Sequence, residues 1–458
     1  PLSAGLFSRL DFDFRLLTHF LDEANSLTKF LKYAQFLQYM QKVVIIGGGI
    51  LGLYAAYQLT KRNHDVTLLE KSNFLGGAIR SYNIDGYEIE QFYHHFFTID
   101  HNLVQFLKEL GLEDKILFNY AINGFYHDRA IYPLLRPKDL IGFKPLSFKG
   151  KFELIKFMAR AKLVKDFKKL DEYTAKEWIT KIAGHSVYEN LFKILLQSKF
   201  GNDHERVSAA WFVERINLRS HVDKHGEKLG YLKGGFNQLV GILKNDIIKG
   251  KGKIVTEADV KEIVVKDKKA VCVKYDSNVV DCDYVISSIP PFILTKLVQF
   301  PPYYENQLNQ LEYQPAVCIV MGIDKQVTGK FYWVNVMKEN NLFGAFVEHT
   351  NLIPKEFYNN TIIVYLASYV EKGSELMHLA EEEVFKRYFK EFTGMFPNIS
   401  MKNVKWWRVS RDFNSGLIYK KGISNIIPDI KTPINNIFIG GMFNSYPERS
   451  ISKSIQLG

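Results

Sequence analysis

Cysteine is nearly absent. The 458 residues hold three, Cys272, Cys282 and Cys318, and no two are spaced as CxxC. An odd, scattered set excludes a disulfide framework and a structural zinc site, and it points to a reducing compartment. All three sit in stretches that hold β-branched or apolar residues, which predicts small buried hydrophobes. Long apolar runs are also missing. No stretch of eighteen apolar residues occurs, so the sequence offers no candidate membrane-spanning helix. Nothing in it spells a catalytic triad, a metal-ligand cluster, a nucleic-acid-binding module or an internal repeat.

Acidic residues are in deficit, and the formal net charge is +11. Much of the surplus is local. Arg136 to Lys169 hold eleven Lys or Arg against three Asp or Glu, a net +8. Two readings compete: a solvated basic face, or a surface that attracts anionic lipid or a phosphorylated substrate. Nucleic acid is not expected as a partner. The expected location is cytoplasmic or at the membrane surface, and the oligomeric state is left open.

What is present is an ordinary globular composition. Apolar residues make up 47%, enough for a sizeable core and two or three domains. Residues 1–39 read differently from the rest. They lack Met, lack Gly after Gly5 and lack Pro after Pro1, and Leu16, Leu17, Phe20 and Leu21 recur at helical spacing. One or two amphipathic helices are predicted there. Four basic and four acidic residues cancel, unlike a transit peptide. The expectation is an N-terminal extension, with Met40 an original start and both ends trimmed from something longer.

Lys42 to Ile46 is a short apolar run that reads as a buried parallel strand. It enters Gly47-Gly48-Gly49-Ile50-Leu51-Gly52, a full GxGxxG. A helix over Leu53–Lys61 and a strand over Val66–Leu69 follow, and Glu70 stands 23 residues past the first glycine. Strand, glycine loop, helix and a later acid form a specific dinucleotide signature. Gly47 permits the tight turn, Gly49 lets backbone N–H groups approach a pyrophosphate, and Gly52 lets the helix pack closely. The helix N-terminus supplies partial positive charge to the phosphates, and Ile50 and Leu51 before it are expected at the cofactor. Glu70 accepts from a ribose 2′-OH and repels a 2′-phosphate, and Lys71 follows it.

The next loop favours FAD over NAD. Gly76, Gly77, Ala78 and Arg80 come directly after the ribose-binding acid. Such a loop can close over the pyrophosphate from the other side, with Arg80 as charge partner. No second GxGxxG appears, so a separate NAD(P)H domain is not expected.

With these motifs the sequence resembles the flavoprotein superfamily of amine oxidases, protoporphyrinogen oxidases and phytoene desaturases. The matching pieces are VVIIGGGILGL (43–53), LLEKSNFLGGAIRS (68–81), YLKGGFNQL (231–239), DYVISSIPP (283–291) and NIFIGGMFNSYPERSISKSIQLG (436–458). EIEQFYHHFF (88–97) is similar to a protoporphyrinogen oxidase-like subgroup. The resemblance implies an α/β fold: a Rossmann-type FAD-binding domain with a discontinuous α+β substrate or cap domain. The FAD domain would comprise 40–100, 228–290 and 428–458. The cap would comprise 101–227, read as mostly helical, and 291–427. Val260 would meet adenine through its backbone. Gly441 and Met442 would lie at the ribityl and phosphate end, although relatives often carry an acid where Met442 stands. Ser450 and Ile451 would open a helix toward the flavin, with a plain N-cap as Ser450's other role. The nearest cysteine to that segment is Cys318, so non-covalent FAD is implied.

A flavin carries its own chemistry, so few catalytic side chains are needed. Tyr93, His94 and His95 are the candidates. Two adjacent histidines on a strand point to opposite faces, so one would serve as base, proton donor or substrate anchor. A structural role for both is the alternative. Trp406 and Trp407 are candidates for an aromatic wall, with core packing as the competing role. The expected function is FAD-dependent oxidation of a C–N or C–C bond of a small molecule by hydride transfer to flavin N5. Two alternatives stay open: a redox-neutral flavoenzyme similar to UDP-galactopyranose mutase, and a flavin-stabilised binding subunit docked through residues 1–39.

Overall fold

Lys42–Ile46 (β1) leaves only its first residue exposed, and Val43, Val44, Ile45 and Ile46 are all buried. A strand covered on both faces belongs at the centre of a parallel sheet. In a computed structural model, which describes residues 40–457 other than 135, 137, 220, 221, 224, 339, 340, 448 and 449, β1 holds that place. The helices expected in residues 1–39 lie outside the described residues.

Asp65–Leu69 (β2) flanks β1 on one side, and Lys253–Val255 (β3) lies beyond it. Tyr284–Ser287 (β4) flanks the other side, with Ile437–Ile439 (β5) outside it. All pairings are parallel, with Val43 opposite both Val66 and Tyr284. The order 3-2-1-4-5 is that of a doubly wound dinucleotide fold. Such sheets bind ligands at the C-terminal ends of the strands where the order reverses, here between β1 and β4. Between β1 and β2 runs Ile50–Lys61 (α1), which buries Leu51, Leu53, Ala55 and Ala56. Leu53 is fully buried, and burial of such a side chain stabilises by roughly 1.5–3 kcal/mol. α1 also packs on the helices Asn237–Lys249 and Ile451–Leu457, so it joins three distant stretches of chain.

The second sheet has ten strands among the described residues. Its path runs Val404–Leu417, Tyr313–Ile323, Ile362–Tyr369, Ala345–Glu348, Phe331–Val336, Ile116–His127, Gly226–Leu232 and Phe96–Phe97. Ala130–Pro133 and Val222–Asp223 pair off this path. The sheet is antiparallel except where Phe331–Val336 runs parallel to Ile116–His127. Tyr313–Ile323 is buried along its whole length, because helix Glu381–Met395 and further elements cover it. Residues 101–227 are mostly helical, as the sequence reading expects, with one long exception. Ile116–His127 is a twelve-residue strand, held on one edge by Gly226–Leu232 and on the other by Phe331–Val336. Partners more than a hundred residues away decided its state.

Candidate cofactor site

The chain leaves β1 through Gly47, whose φ is +105°. A Cβ there would meet Ser288 Oγ at 2.5 Å, so the turn has room for glycine alone. Ser288, at the C-terminal end of β4, donates to the Ile46 and Gly47 carbonyls at 3.1 Å each. Sequence reasoning missed this residue, although it lies inside DYVISSIPP. Gly52 faces back into the turn, where a Cβ would stand 2.0 Å from the Gly47 carbonyl oxygen. α1 therefore starts as close to the loop as a backbone can.

Gly49 is different. A Cβ on it meets nothing within 4 Å. It is the N-cap of α1, no side chain caps that end, and the first turn holds no acid. α1 therefore begins without a side-chain cap, next to open space at Gly49, at the sheet's switch point. Uncapped helix N-termini carry partial positive charge and attract anions.

The second glycine loop lies against the first. Gly76 N–H donates to the Gly48 carbonyl at 2.8 Å, and a Cβ on Gly77 would come within 3.1 Å of Gly49 Cα. Gly76 and Gly77 have φ of +103° and +57°. Ala78 beside them is exposed. Glu70 ties the arrangement together. Its Oε2 accepts from Gly48 N–H at 2.7 Å, and its Oε1 accepts from Ser72 N–H at 2.8 Å and Ser72 Oγ at 2.7 Å. Gly48 therefore has a task that the sequence pattern did not reveal. A Cβ there would collide with Leu75 at 2.7 Å and with Glu70 Cβ at 3.0 Å.

The 255–260 segment runs beside Glu70. Glu70 N–H donates to Val255 O, Ala258 N–H to Glu70 O and Glu257 N–H to Ser72 O, each at 2.9 Å. Lys71 pairs with Asp259 at 3.1 Å, next to half-buried Val260. From the other end of the chain, Gly440 N–H bonds Ser287 O at 2.9 Å, and a Cβ on Gly440 would lie 3.1 Å from Leu51. Gly441 and half-buried Met442 follow. Ser450 accepts from Lys453 N–H at 3.1 Å, the geometry of an N-cap for Ile451–Leu457. Arg80 turns toward Gln91 Oε1 at 2.5 Å and the Arg411 carbonyl at 3.3 Å, and it stacks over Phe74.

Tyr93, His94 and His95 lie in an irregular stretch just before strand Phe96–Phe97, rather than on a strand. Their rings still part company. His94 Nδ1 is 2.7 Å from the Phe92 carbonyl, and His95 Nδ1 is 3.0 Å from Tyr332 Oη. Tyr93 packs edge-on to Trp333 and Tyr365. Burial, then Arg219 and Arg215, hold the His95 imidazole well below its usual range. At neutral pH it is an uncharged ring, suited to accepting or anchoring rather than to donating as imidazolium.

Beneath this stretch lies a buried carboxylate that sequence reasoning passed over. Glu90 has no exposed surface, and it accepts from Tyr231 Oη at 2.7 Å and Phe236 N–H at 2.8 Å. Burial pushes its pKa up. EIEQFYHHFF and YLKGGFNQL thus interlock through Glu90. Trp406 donates to Tyr87 Oη at 3.0 Å, and Trp407 stacks on Phe385 at 4.5 Å, so both pack against neighbouring elements. Cys282 and Cys318 are buried and Cys272 is half-buried, all as free thiols.

Two glycine loops in contact, a bridging acid and a bare helix N-terminus at the switch point describe a dinucleotide cradle. The flavin-containing amine oxidoreductase family matches residues 52–458. The chain belongs to this family. It is a flavin-dependent oxidoreductase with the family's α/β architecture. The chain is 22% identical over 437 residues to the 15-cis-phytoene desaturase of Synechococcus elongatus, covering 87% of this chain and 90% of that protein. A putative protoporphyrinogen oxidase from Exiguobacterium sp. 255-15 shares the fold with a TM-score of 0.72 at 18% identity, over 91% of this chain and 97% of that one. A reduced UDP-galactopyranose mutase shares it with a TM-score of 0.68 at 16% identity, over 91% and 93%.

Proposed function

We propose that the protein binds FAD non-covalently and oxidises a C–N or C–C bond of a small-molecule substrate. The observation that carries this reading is the meeting of the Gly47–Gly52 and Gly76–Gly77 loops at the uncapped start of α1. Gly49, Ile50, Leu51 and Ala78 would line the pyrophosphate. Glu70 would hold the adenosine ribose. Three of the roughly four acceptor positions of its carboxylate are taken, which leaves one on Oε2 for a hydroxyl. The Val260 backbone, reached through the Lys71–Asp259 pair, would meet adenine. Gly441, Met442, Ser450 and Ile451 would approach the other half of the cofactor.

When bound, the flavin supplies the hydride acceptor. The chain's own residues position the substrate and exclude water. His95 and Tyr332 form a neutral hydrogen-bonded pair, with Trp333, Tyr93 and Tyr365 as aromatic surroundings. We assign His95 to anchoring the substrate, and His94, tied to the Phe92 carbonyl, to shaping the same stretch. Arg80 would act through the loop, since its guanidinium is engaged by Gln91 and Arg411.

We assign cofactor binding to residues 40–100, 228–290 and 428–458, and substrate binding to 101–227 and 291–427. All five strands of the parallel sheet fall in the first set. Phe96–Phe97 and Gly226–Leu232 join the larger sheet, so the seam runs through them.

The test has two steps. The purified protein should be yellow and release FAD on acid precipitation; a colourless protein that takes up NAD and no FAD overturns the cofactor reading. The flavin should then bleach anaerobically with an oxidisable amine or a polyene. Turnover that requires a pre-reduced flavin, with no net oxidation of the substrate, would move the protein to redox-neutral chemistry.

A further inference from the structure

Helix Phe148–Lys162 has two apolar faces where a surface helix needs one. Gly150, Leu154, Phe157 and Ala161 are buried. They fall within about 60° of one another at 100° per residue and face the core. On the opposite side, Phe148 is 91% exposed, Phe152 58%, Ile155 49% and Leu163, just past the helix, 76%. Ile141, 83% exposed, lies close by, where Lys151 Nζ bonds its carbonyl at 3.0 Å. Exposed apolar residues scattered singly are ordinary; a continuous stripe along about 22 Å of helix is not.

The charges are placed to match. Lys149, Lys156 and Arg160 line one flank of the stripe, and Lys151 and Lys162 line the other. The helix's one acid, Glu153, is paired with Lys156 at 2.9 Å. A shallow cleft beside it is lined by Lys149, Glu153, Lys156, Lys181 and His185. No helix among the described residues is long and apolar enough to cross a membrane. An apolar stripe flanked on both sides by basic residues is the arrangement of a helix that lies in a bilayer interface.

We propose that this face docks on an anionic lipid bilayer, with Ile141, Phe148, Phe152, Ile155 and Leu163 entering the acyl boundary and the flanking lysines meeting headgroup phosphates. A protein partner or a second copy of this chain would have less use for basic residues on both flanks, with Glu153 the helix's one acid and already paired. The orientation would place residues 136–169 toward the membrane.

Sedimentation of the full-length holoprotein with vesicles tests this. Vesicles of phosphatidylcholine alone should leave it in the supernatant. Vesicles with added phosphatidylglycerol should bring it down, with affinity falling about tenfold or more between low and high salt. The double variant Phe148→Ser, Phe152→Ser should keep its flavin and fold, because both rings are solvent-facing, yet lose binding by about tenfold or more. Lys149→Glu with Lys156→Glu should lose it too. Equal, negligible binding to both vesicle types overturns the proposal. So does binding that the phenylalanine variant does not weaken, or a dimer that the same variant dissociates while vesicles stay bare.

Discussion

Gly77 stands against Gly49: a Cβ on Gly77 would come within 3.1 Å of Gly49 Cα, and beside them Gly76 N–H bonds Gly48 O at 2.8 Å. Residues some 28 positions apart thus form one wall. The contact separates what each glycine is for. Gly77, at φ +57°, is needed by the fold, whereas Gly49, at φ −70° with open space before it, is not.

Gly49→Ala should therefore leave the apoprotein as stable as before, since alanine tolerates that φ and meets no neighbour. FAD affinity should fall by about tenfold or more, because the new methyl group occupies space assigned to the pyrophosphate and such overpacking costs about 1–3 kcal/mol. Thermal unfolding of the apoprotein and flavin titration make the comparison. Unchanged FAD affinity would remove the pyrophosphate from this loop.

Glu70→Ala should behave differently. It removes the acceptor of Gly48 N–H, Ser72 N–H and Ser72 Oγ, so the apoprotein itself should lose about 1–3 kcal/mol. FAD affinity should fall by roughly one to two orders of magnitude as the ribose contact and the loop geometry go together. Lost stability with unaltered FAD binding would show Glu70 to be a loop anchor alone.

His349 should give the fold an acid limit. Its ring is buried among Tyr231, Tyr358 and Tyr365; Nε2 is 2.7 Å from Tyr358 Oη, and Nδ1 has no hydrogen-bond partner among the described residues. Burial pushes its pKa down from 6.5 to about 3, so the fold favours the neutral ring. Above pH 6.5 that contribution is complete. As pH falls below 6.5, the unfolded chain takes up a proton that the folded chain refuses until about pH 3, and stability is lost across that window. By pH 5.0 the loss is about 2 kcal/mol. Denaturant unfolding of the wild type and His349→Phe at pH 7.5 and 5.0 tests this. The gap in stability between the two should narrow by about 2 kcal/mol at the lower pH, and an identical pH dependence in both would rule out His349 as the source.

The cradle was legible because its parts are local. Short-range sterics make Gly47, Gly49 and Gly52 meaningful at their spacing, and a buried β1 with α1 behind it follows from apolar runs a few residues long. Glu70 and the Gly76–Gly77 pair are near enough in the chain to be read with them. The same locality exposed the basic, phenylalanine-rich segment, but the sequence could not say which phenylalanines face the core. Phe157 is buried and Phe148 is exposed on one helix, and only packing against Trp178, Phe192 and Phe212 of neighbouring helices decides between them.

Tertiary structure decided what depends on distant partners. Ile116–His127 became a strand because two strands from elsewhere completed its hydrogen bonds. Glu90 became a buried anchor because Tyr231 and the Phe236 amide arrive from more than 140 residues away. Ser288 joined the glycine turn through pairing of β4 with β1, and the adjacent histidines received different surroundings from Phe92 and Tyr332. Backbone sterics and apolar period act over a few residues and are written in the chain's order. Desolvation of a carboxylate or an imidazole depends on everything that closes around it, and that is fixed only once the sheets have assembled.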